Sequence, residues 1–223
     1  MQQEIFNFHK IERLDWNDFI ESEENFDAIS YLAQWPNWND NGMIIHGAPG
    51  TGKTHLAALW AQTANAVYIL NESLNHNPRD LFNTECNFVI DNFEDFLTFK
   101  KFDWMFHFFN IAREKDRFFL LLSRSHPSFL NIELKDLKSR LLTLPIVGIS
   151  DPQDDLLLKI SQKIANDLEI VVPDDVMMYI LNIIDRKVSS IINVLRILDR
   201  LSLQQKKPIS LPFVKNYLKI SNS

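Results

Sequence analysis

The sequence predicts an α/β fold, a parallel sheet with helices on both faces and a smaller all-helical domain behind it, and three observations predict it. Five short apolar runs, MIIH (43–46), AVYIL (66–70), NFVID (87–91), FFLLLS (118–123) and LPIVGI (144–149), are near-continuous rather than alternating, as strands covered on both faces are. The segments between them carry helix-like apolar spacing, so strand and helix alternate and a parallel sheet follows. After Asp151 the strand signal stops and only helical patterns remain.

Residues 25–35 (NFDAISYLAQW) place Phe26, Ile29, Tyr31, Leu32 and Trp35 at near-helical spacing, with Pro36 as the stop. A polar turn over 37–42 leads into the first strand, and HLAALWAQTA after Lys53 has the composition of a helix. FEDFLTFKKFDWMFHFFNIAREKD and LNIELKDLKSR supply further helices. In the first of these, Phe102, Trp104, Phe106, Phe108 and Phe109 form an aromatic cluster, expected either in the core or at a protein interface. Beyond residue 150, DPQDDLLLKISQKIANDL, PDDVMMYILNII and SSIINVLRILDRLSLQQ each open with Asp or Ser placed as a cap, and Pro152 and Pro173 fall where a first turn tolerates proline. A last short helix, LPFVKNYLKI, follows KKPIS.

Composition narrows the function classes. With 46% hydrophobic and 23% charged residues in a chain of 223, the protein folds on its own core without staples. The single cysteine, Cys86, forms no internal disulfide and reads as a small buried hydrophobe. A net charge of -6 argues against wrapping DNA unaided, since non-specific affinity for DNA comes from clustered Lys and Arg, and favours a protein partner. The sequence has no apolar run long enough to span a membrane and no basic-then-apolar leader, so a cytoplasmic protein with no membrane association is expected.

HGAPGTGKTH fits G-x-x-x-x-G-K-[ST] at Gly47, Gly52, Lys53 and Thr54, between a strand and a helix, which is the context the motif requires. Its glycines let backbone N–H groups point at phosphate oxygens, and the helix that follows turns its positive end toward the same anion. Ala48, Pro49, Gly50, Thr51 and His55 complete the nucleotide-binding loop, although the His46 and His55 rings beside it read as structural. Lys53 is expected to reach the β and γ phosphates and the Thr54 hydroxyl to ligate Mg²⁺. Asp91, ending NFVID, is expected as the second Mg²⁺-side group, on a strand neighbouring that of the loop. Asn92 stands where many nucleotide hydrolases carry a further carboxylate; an amide orients water but accepts no proton from it, so unaided hydrolysis should be slow. Glu94 reads as a first-turn acid of the next helix.

On these residues the chain resembles an AAA+ ATPase of the bacterial replication-initiator class, and most specifically the Hda family, regulators homologous to the initiator DnaA that inactivate it. The likeness runs through GAPGTGKTH, FVIDN, FFLLLSR, LKDLKSRL, the helical segment that would be the lid, and LPFVKNYLKI. It implies five parallel strands with helices on both faces, ADP or ATP with Mg²⁺, and a protein that promotes hydrolysis of the ATP held by DnaA together with the DNA sliding clamp, the polymerase III beta subunit, so restraining initiation. Self-association and a place on the nucleoid through partners are compatible with it. DnaA continues into a helix-turn-helix domain, and for a sequence ending at Ser223 no autonomous DNA-binding domain is expected.

The resemblance assigns roles residue by residue. Arg140 in LKSRL matches the arginine finger supplied in trans, where a guanidinium stabilises charge on the transferred phosphoryl group; by spacing alone it equally suits an ion pair with Asp136. Gln2, Ile5 and Phe6 in QQEIF resemble the clamp-binding peptide, although an apolar tail tucked onto its own core has the same pattern. Residues 1–8 would be a mobile tail, 9–150 the AAA+ core and 151–223 the helical lid. The sensor at the end of FFLLLS falls on Ser123 or Arg124. The lid's phosphate-reading Arg falls on Ser189, which cannot make a bidentate contact, leaving Arg186 or Lys187 as substitutes. Phe19 and Ile20 in WNDFI are the adenine-pocket candidates. Two other readings stay open: an autonomous P-loop ATPase or kinase, and a DnaC-like helicase loader.

Overall fold

In the computed structural model, which describes residues 16, 19–98, 101–185 and 187–221, the chain divides into two compact units between Ser150 and Asp151. The first holds a five-stranded parallel sheet: β1 (Gly42–His46), β2 (Ala66–Tyr68), β3 (Asn87–Ile90), β4 (Phe119–Ser123) and β5 (Ile146–Gly148), in the order β2-β3-β4-β1-β5. All neighbours run parallel, so the strands end together along one edge, where the loops after β1 and β3 meet. The apolar runs overstate the strands by one or two residues at several ends, because a buried apolar residue just beyond a strand looks no different in sequence.

Alternation along each strand feeds two cores. Met43, Ile45, Val89, Leu120, Leu122 and Val147 point to one face, against α1 (Phe26–Leu32) and α2 (Lys53–Thr63), while Ile44, Phe88, Ile90, Phe119 and Leu121 point to the other. That second face is covered by α4 (Phe93–Thr98), α5 (Phe102–Glu114) and α6 (Lys135–Thr143); the short α3 (Pro78–Leu81) precedes β3. Six consecutive residues of α2, Leu56 to Ala61, are buried, so this helix is enclosed on several sides rather than presenting one apolar stripe. In α1 only Ala28 and Leu32 are buried and Phe26 is exposed; the predicted face was rotated from the real one.

The aromatic cluster of α5 is core. Trp104, Phe108 and Phe109 are buried, with Phe108 stacked on Trp104 at 5.6 Å and meeting Phe88 and Phe119 edge-on. Phe106 alone among these turns toward Arg140. Cys86 is buried and free.

The second unit consists of α7 (Asp154–Asp167), α8 (Asp174–Leu181), α9 (Val188–Gln205) and α10 (Leu211–Ser221). α8 is its keystone: Met177 and Leu181 join Leu157, Ala165, Ile191 and Leu195, while Val176 and Ile180 join Leu198, Ile209 and Val214. The helix starts differ from expectation. The cap positions are Gln153, Pro173 and Lys187, none with a side-chain cap bond, and the aspartates lie inside the first turns. There Asp154, Asp155, Asp174 and Asp175 oppose the positive helix end, a role that sequence does not separate from capping. Pro173 is itself the cap residue, and Pro152 lies one residue ahead of the cap of α7.

Replacing Phe108 by Ala should cost about 3–5 kcal/mol, the usual range for an aromatic removed from a packed core, read as a lowered midpoint in urea unfolding.

Candidate nucleotide site

The loop between β1 and α2 is fixed at its start from both sides. The Gly47 N–H donates to the Ser123 carbonyl (3.1 Å) at the end of β4, and on the other flank the Ile149 N–H, just past β5, donates to the His46 carbonyl (2.7 Å). A Cβ on Gly47 would stand 2.5 Å from the Ile149 carbonyl oxygen, so the loop can pass only as glycine. Gly52, with φ 94°, takes the left-handed conformation that side chains disfavour and leads into α2 with no side-chain cap. A helix start of this kind turns its positive end and first-turn N–H groups toward an approaching anion. Thr51 closes the turn by donating its hydroxyl to the Ala48 carbonyl (3.0 Å), and the buried Lys53 ammonium reaches back to the carbonyls of Gly47 (2.7 Å) and Ala48 (2.8 Å).

Thr54 Oγ1 donates to Asp91 Oδ2 at 2.9 Å, so the two residues expected to flank Mg²⁺ do meet. They do so by another route than adjacency of their strands: β3 is not beside β1, because β4 lies between them. α2 crosses the sheet from β1 toward β2, packing on Leu120 and Val89, and this carries Thr54 over the end of β4 to Asp91. Strand order is a long-range property that apolar runs do not encode, and the adjacency expected from sequence was wrong for that reason.

Glycine backbone, a helix N-terminus, an ammonium and two hard oxygen donors are the groups that a magnesium nucleotide needs, and they stand here together. Bound there, the cation would neutralise phosphate charge. The residues that would hold it are Thr54 and Asp91, and those that would cradle the phosphates are the loop and Lys53.

Asn92 is accounted for by its surroundings. It adopts φ 50°, a left-handed conformation in which Asn is enriched; its N–H donates to Asp91 Oδ1 (2.7 Å) and its carbonyl accepts from the Asp95 N–H (2.8 Å). Its side-chain oxygen accepts from Arg124 Nε (3.1 Å), whose guanidinium also lies 3.8 Å from Asp95. Glu94 does sit in the first turn of α4, yet its carboxylate reaches back to the end of β4, accepting from Ser123 Oγ (2.9 Å) and from the Arg124 N–H. Ser123 is fully buried and also bonds to the Ser125 carbonyl. Sequence reasoning missed this knot of Asn92, Glu94, Ser123 and Arg124, which ties the ends of β3 and β4 together; only its residues' common place at strand ends hinted at it.

Phe19 lies beside the loop, its ring edge-on to His55 at 5.2 Å and 3.6 Å from where a Gly52 Cβ would be. Ile20 is half-buried, and its carbonyl accepts from Asn25 Nδ2. His46 packs against the His126 ring at 5.1 Å. Burial first, then the His126 and Lys53 charges, hold its pKa below the usual histidine value. At the end of β2, burial first and then the charge of Asp91 push the Tyr68 phenol above its ordinary range.

Arg140 lies elsewhere. It lies in the last turn of α6 and lines a cleft of about 380 Å³ with Phe106, Arg113, Asp136 and Ser139, whose floor includes Gly42 and Phe119, the first residues of β1 and β4. That is the opposite edge of the sheet from the loop. The guanidinium donates to Asn110 Oδ1 and stacks 5.0 Å over the Phe106 ring, contacts made to α5 rather than to Asp136, the alternative that its spacing allowed. Lys187, at the start of α9, lies 3.5 Å from Asp185. Gln2, Ile5, Phe6, Arg186 and the side chain of Ser189 lie outside the described residues.

Residues 154–218 match the family model for the Hda lid domain. A Haemophilus influenzae protein named as uncharacterized is 26% identical over 186 residues, 79% of this chain and 80% of its own. Among solved structures, domain III of the Thermotoga maritima replication initiation protein DnaA is similar with a TM-score of 0.74 and 18% identity, over 91% of this chain and 94% of that one. The replication initiator DnaA bound to AMPPCP and single-stranded DNA gives 0.69 and 20%, over 85% and 67%. At such identities the structures establish the fold, an AAA+ core of the DnaA type.

Because the folded state holds the His46 pKa below 6.5, the unfolded chain takes up its proton first as pH falls. The stability held above pH 6.5 is then lost as pH drops from 6.5 toward the lower folded value, at no more than about 1.4 kcal/mol per pH unit for one group. Urea unfolding between pH 7.5 and 5 should show a shallower decline in His46→Gln than in wild type.

Proposed function

We propose, from the premise that the chain is Hda-like, an Hda lid domain joined to an AAA+ core of the DnaA fold, that it is a nucleotide-bound regulator of replication initiation whose chemistry is performed on a partner. It holds ADP or ATP with Mg²⁺ at Gly47–His55 and Asp91, hydrolyses it poorly by itself, and supplies Arg140 to the ATP held by DnaA. The sliding clamp, engaged through Gln2, Ile5 and Phe6, brings the two together. Phe19 and Ile20 border the adenine, and Ser123 and Ser189 take the sensor positions of the resemblance.

The observation that carries the reading is the separation of Arg140 from its own nucleotide loop. Gly42, at the Arg140 cleft, and His46, at the loop, mark the two ends of β1, about 13 Å of strand apart. An arginine on that edge serves no phosphate bound at the other, whereas a second AAA+ protein docking its nucleotide against the cleft would receive it. The engagement of Asn92 with Arg124 and the αL turn supports slow intrinsic turnover: no carboxylate stands in that position to take a proton from water. Asn110 and Phe106 hold the guanidinium at the cleft, in place of the many rotamers of a free side chain.

Purified protein alone should turn over ATP more slowly than about one per second, the low end of ordinary enzymes. Mixed with ATP-loaded DnaA and clamp on DNA, it should accelerate phosphate release, and Arg140→Ala should abolish most of a gain that for such fingers is roughly 10³ to 10⁵. Its own ADP affinity should be unchanged; stimulation persisting in Arg140→Ala would remove the assignment. Deleting residues 1–8 should abolish clamp binding in a pull-down, and undiminished binding would place the anchor elsewhere. Fast phosphate transfer from ATP to a metabolite would instead favour an autonomous kinase.

A further inference from the structure

The turn between α9 and α10 holds a groove open beside it. Lys206 takes a left-handed conformation (φ 51°) and ends α9. The next residue is bonded to Ser202 in both directions: the Lys207 N–H donates to the Ser202 carbonyl (3.1 Å), and the Lys207 carbonyl accepts from the Ser202 hydroxyl. Leu198, Ile209 and Val214 pack both helices onto the small core beneath. The groove measures about 580 Å³, within the range of about 300–1,000 Å³ in which proteins hold ligands.

Its apolar lining is supplied by Ile197 and Leu201 on α9, Pro208 in the turn, and Pro212 and Phe213 on α10. Ile197, Pro208 and Pro212 are exposed, and the prolines bring no backbone N–H, so this wall suits an apolar side chain. The charged groups of the lining are Arg200 and Lys207, and no carboxylate is among the described residues that line it. Neither cation forms an ion pair with a described residue. The sequence has the same bias over the whole segment: residues 200–223 hold Arg200, Lys206, Lys207, Lys215 and Lys219 and no Asp or Glu, in a chain of net charge -6. The field at the groove is therefore locally positive. An apolar seat beside unpaired cations is complementary to a bulky apolar side chain flanked by carboxylates. Nucleic acid fits it less well, because Phe213 and Tyr217 pack against the core of this unit and are not free platforms for bases.

We propose that the groove between α9 and α10 is a docking site for a protein partner, taking a short acidic segment by a bulky apolar anchor while Arg200 and Lys207 meet its carboxylates. It shares no residue with the nucleotide loop or the Arg140 cleft, so it stands or falls apart from the nucleotide reading.

Short fluorescein-labelled peptides with a central Leu-Leu, Ile-Ile, Phe-Phe or Met-Met pair flanked by glutamates, titrated with the full chain and read by anisotropy, test it. At least one should bind saturably and more weakly as salt is raised. Binding should fall about tenfold when Gly-Gly replaces the apolar pair, or when the protein carries Arg200→Glu with Lys207→Glu. Peptides with lysines in place of glutamates should not bind. Both substituted residues are exposed, so the thermal midpoint should hold; if it drops, Arg200→Gln with Lys207→Gln replaces that variant, with a loss of about threefold expected. The proposal is overturned if none of the acidic peptides binds, if Gly-Gly or the substitutions leave affinity unchanged, or if the lysine peptides bind as well. A short oligothymidylate that binds more tightly than every peptide, and loses affinity in the charge-reversed protein, would make the groove a nucleic-acid site and overturn it too.

Discussion

The packing of α2 across the sheet is the constraint on which the rest of the first unit depends. Leu56, Ala57, Trp60 and Ala61 lie on Met43, Ile45, Val89, Leu120 and Leu122, and with six consecutive residues of this helix buried its position has little freedom. Its first turn is consequently held over the strand ends. Lys53 is buried against the loop carbonyls and Thr54 spans the end of β4 to reach Asp91. The geometry of the site is thus a product of apolar burial in the helix behind it, and no polar contact within the loop needs to supply that energy.

The two edges of the sheet have different chemistry for a topological reason. Parallel strands put every βα turn on one edge and every αβ turn on the other. The first edge collects the loop, Asp91, Asn92 and Ser123; the second collects Asn41, Gly42, Thr143 and Leu144 beside Arg140. A molecule built this way can hold one ligand at one edge and offer a cation to another protein at the opposite edge. Within the first edge, the bonds joining Asn92, Glu94, Ser123 and Arg124 tie β3 to β4, so the turn after Asp91 is a structural joint as well as a lining of the site.

The second unit owes its coherence to α8, whose adjacent pairs Val176/Met177 and Ile180/Leu181 feed two small cores. A helix apolar on so much of its circumference must be enclosed, and α7, α9 and α10 enclose it. This accounts for PDDVMMYILNII being the most apolar of the helical patterns, and it is the segment around which the matched lid domain is organised.

The sequence by itself determined whatever is local. The phosphate loop was legible because glycine spacing, Lys53 and Thr54 act within the eight residues from Gly47 to Thr54, and the five strands and the helices were legible from apolar spacing, since burial on one or two faces writes a period into the chain. The pairing of Thr54 with Asp91 was anticipated, but the reason offered, neighbouring strands, was not the one the fold uses. Tertiary structure alone decided that β4 separates β1 from β3, that Arg140 turns to Asn110 and Phe106, and that Asn92 is a left-handed joint bonded to Arg124. Each of these depends on residues far apart in sequence, from Arg140 and Asn110 at 30 positions to the still more distant Gly42 and Phe119 on paired strands, being brought to one place by the packing of whole helices and strands, and no periodicity in a single segment records which other segment it will meet.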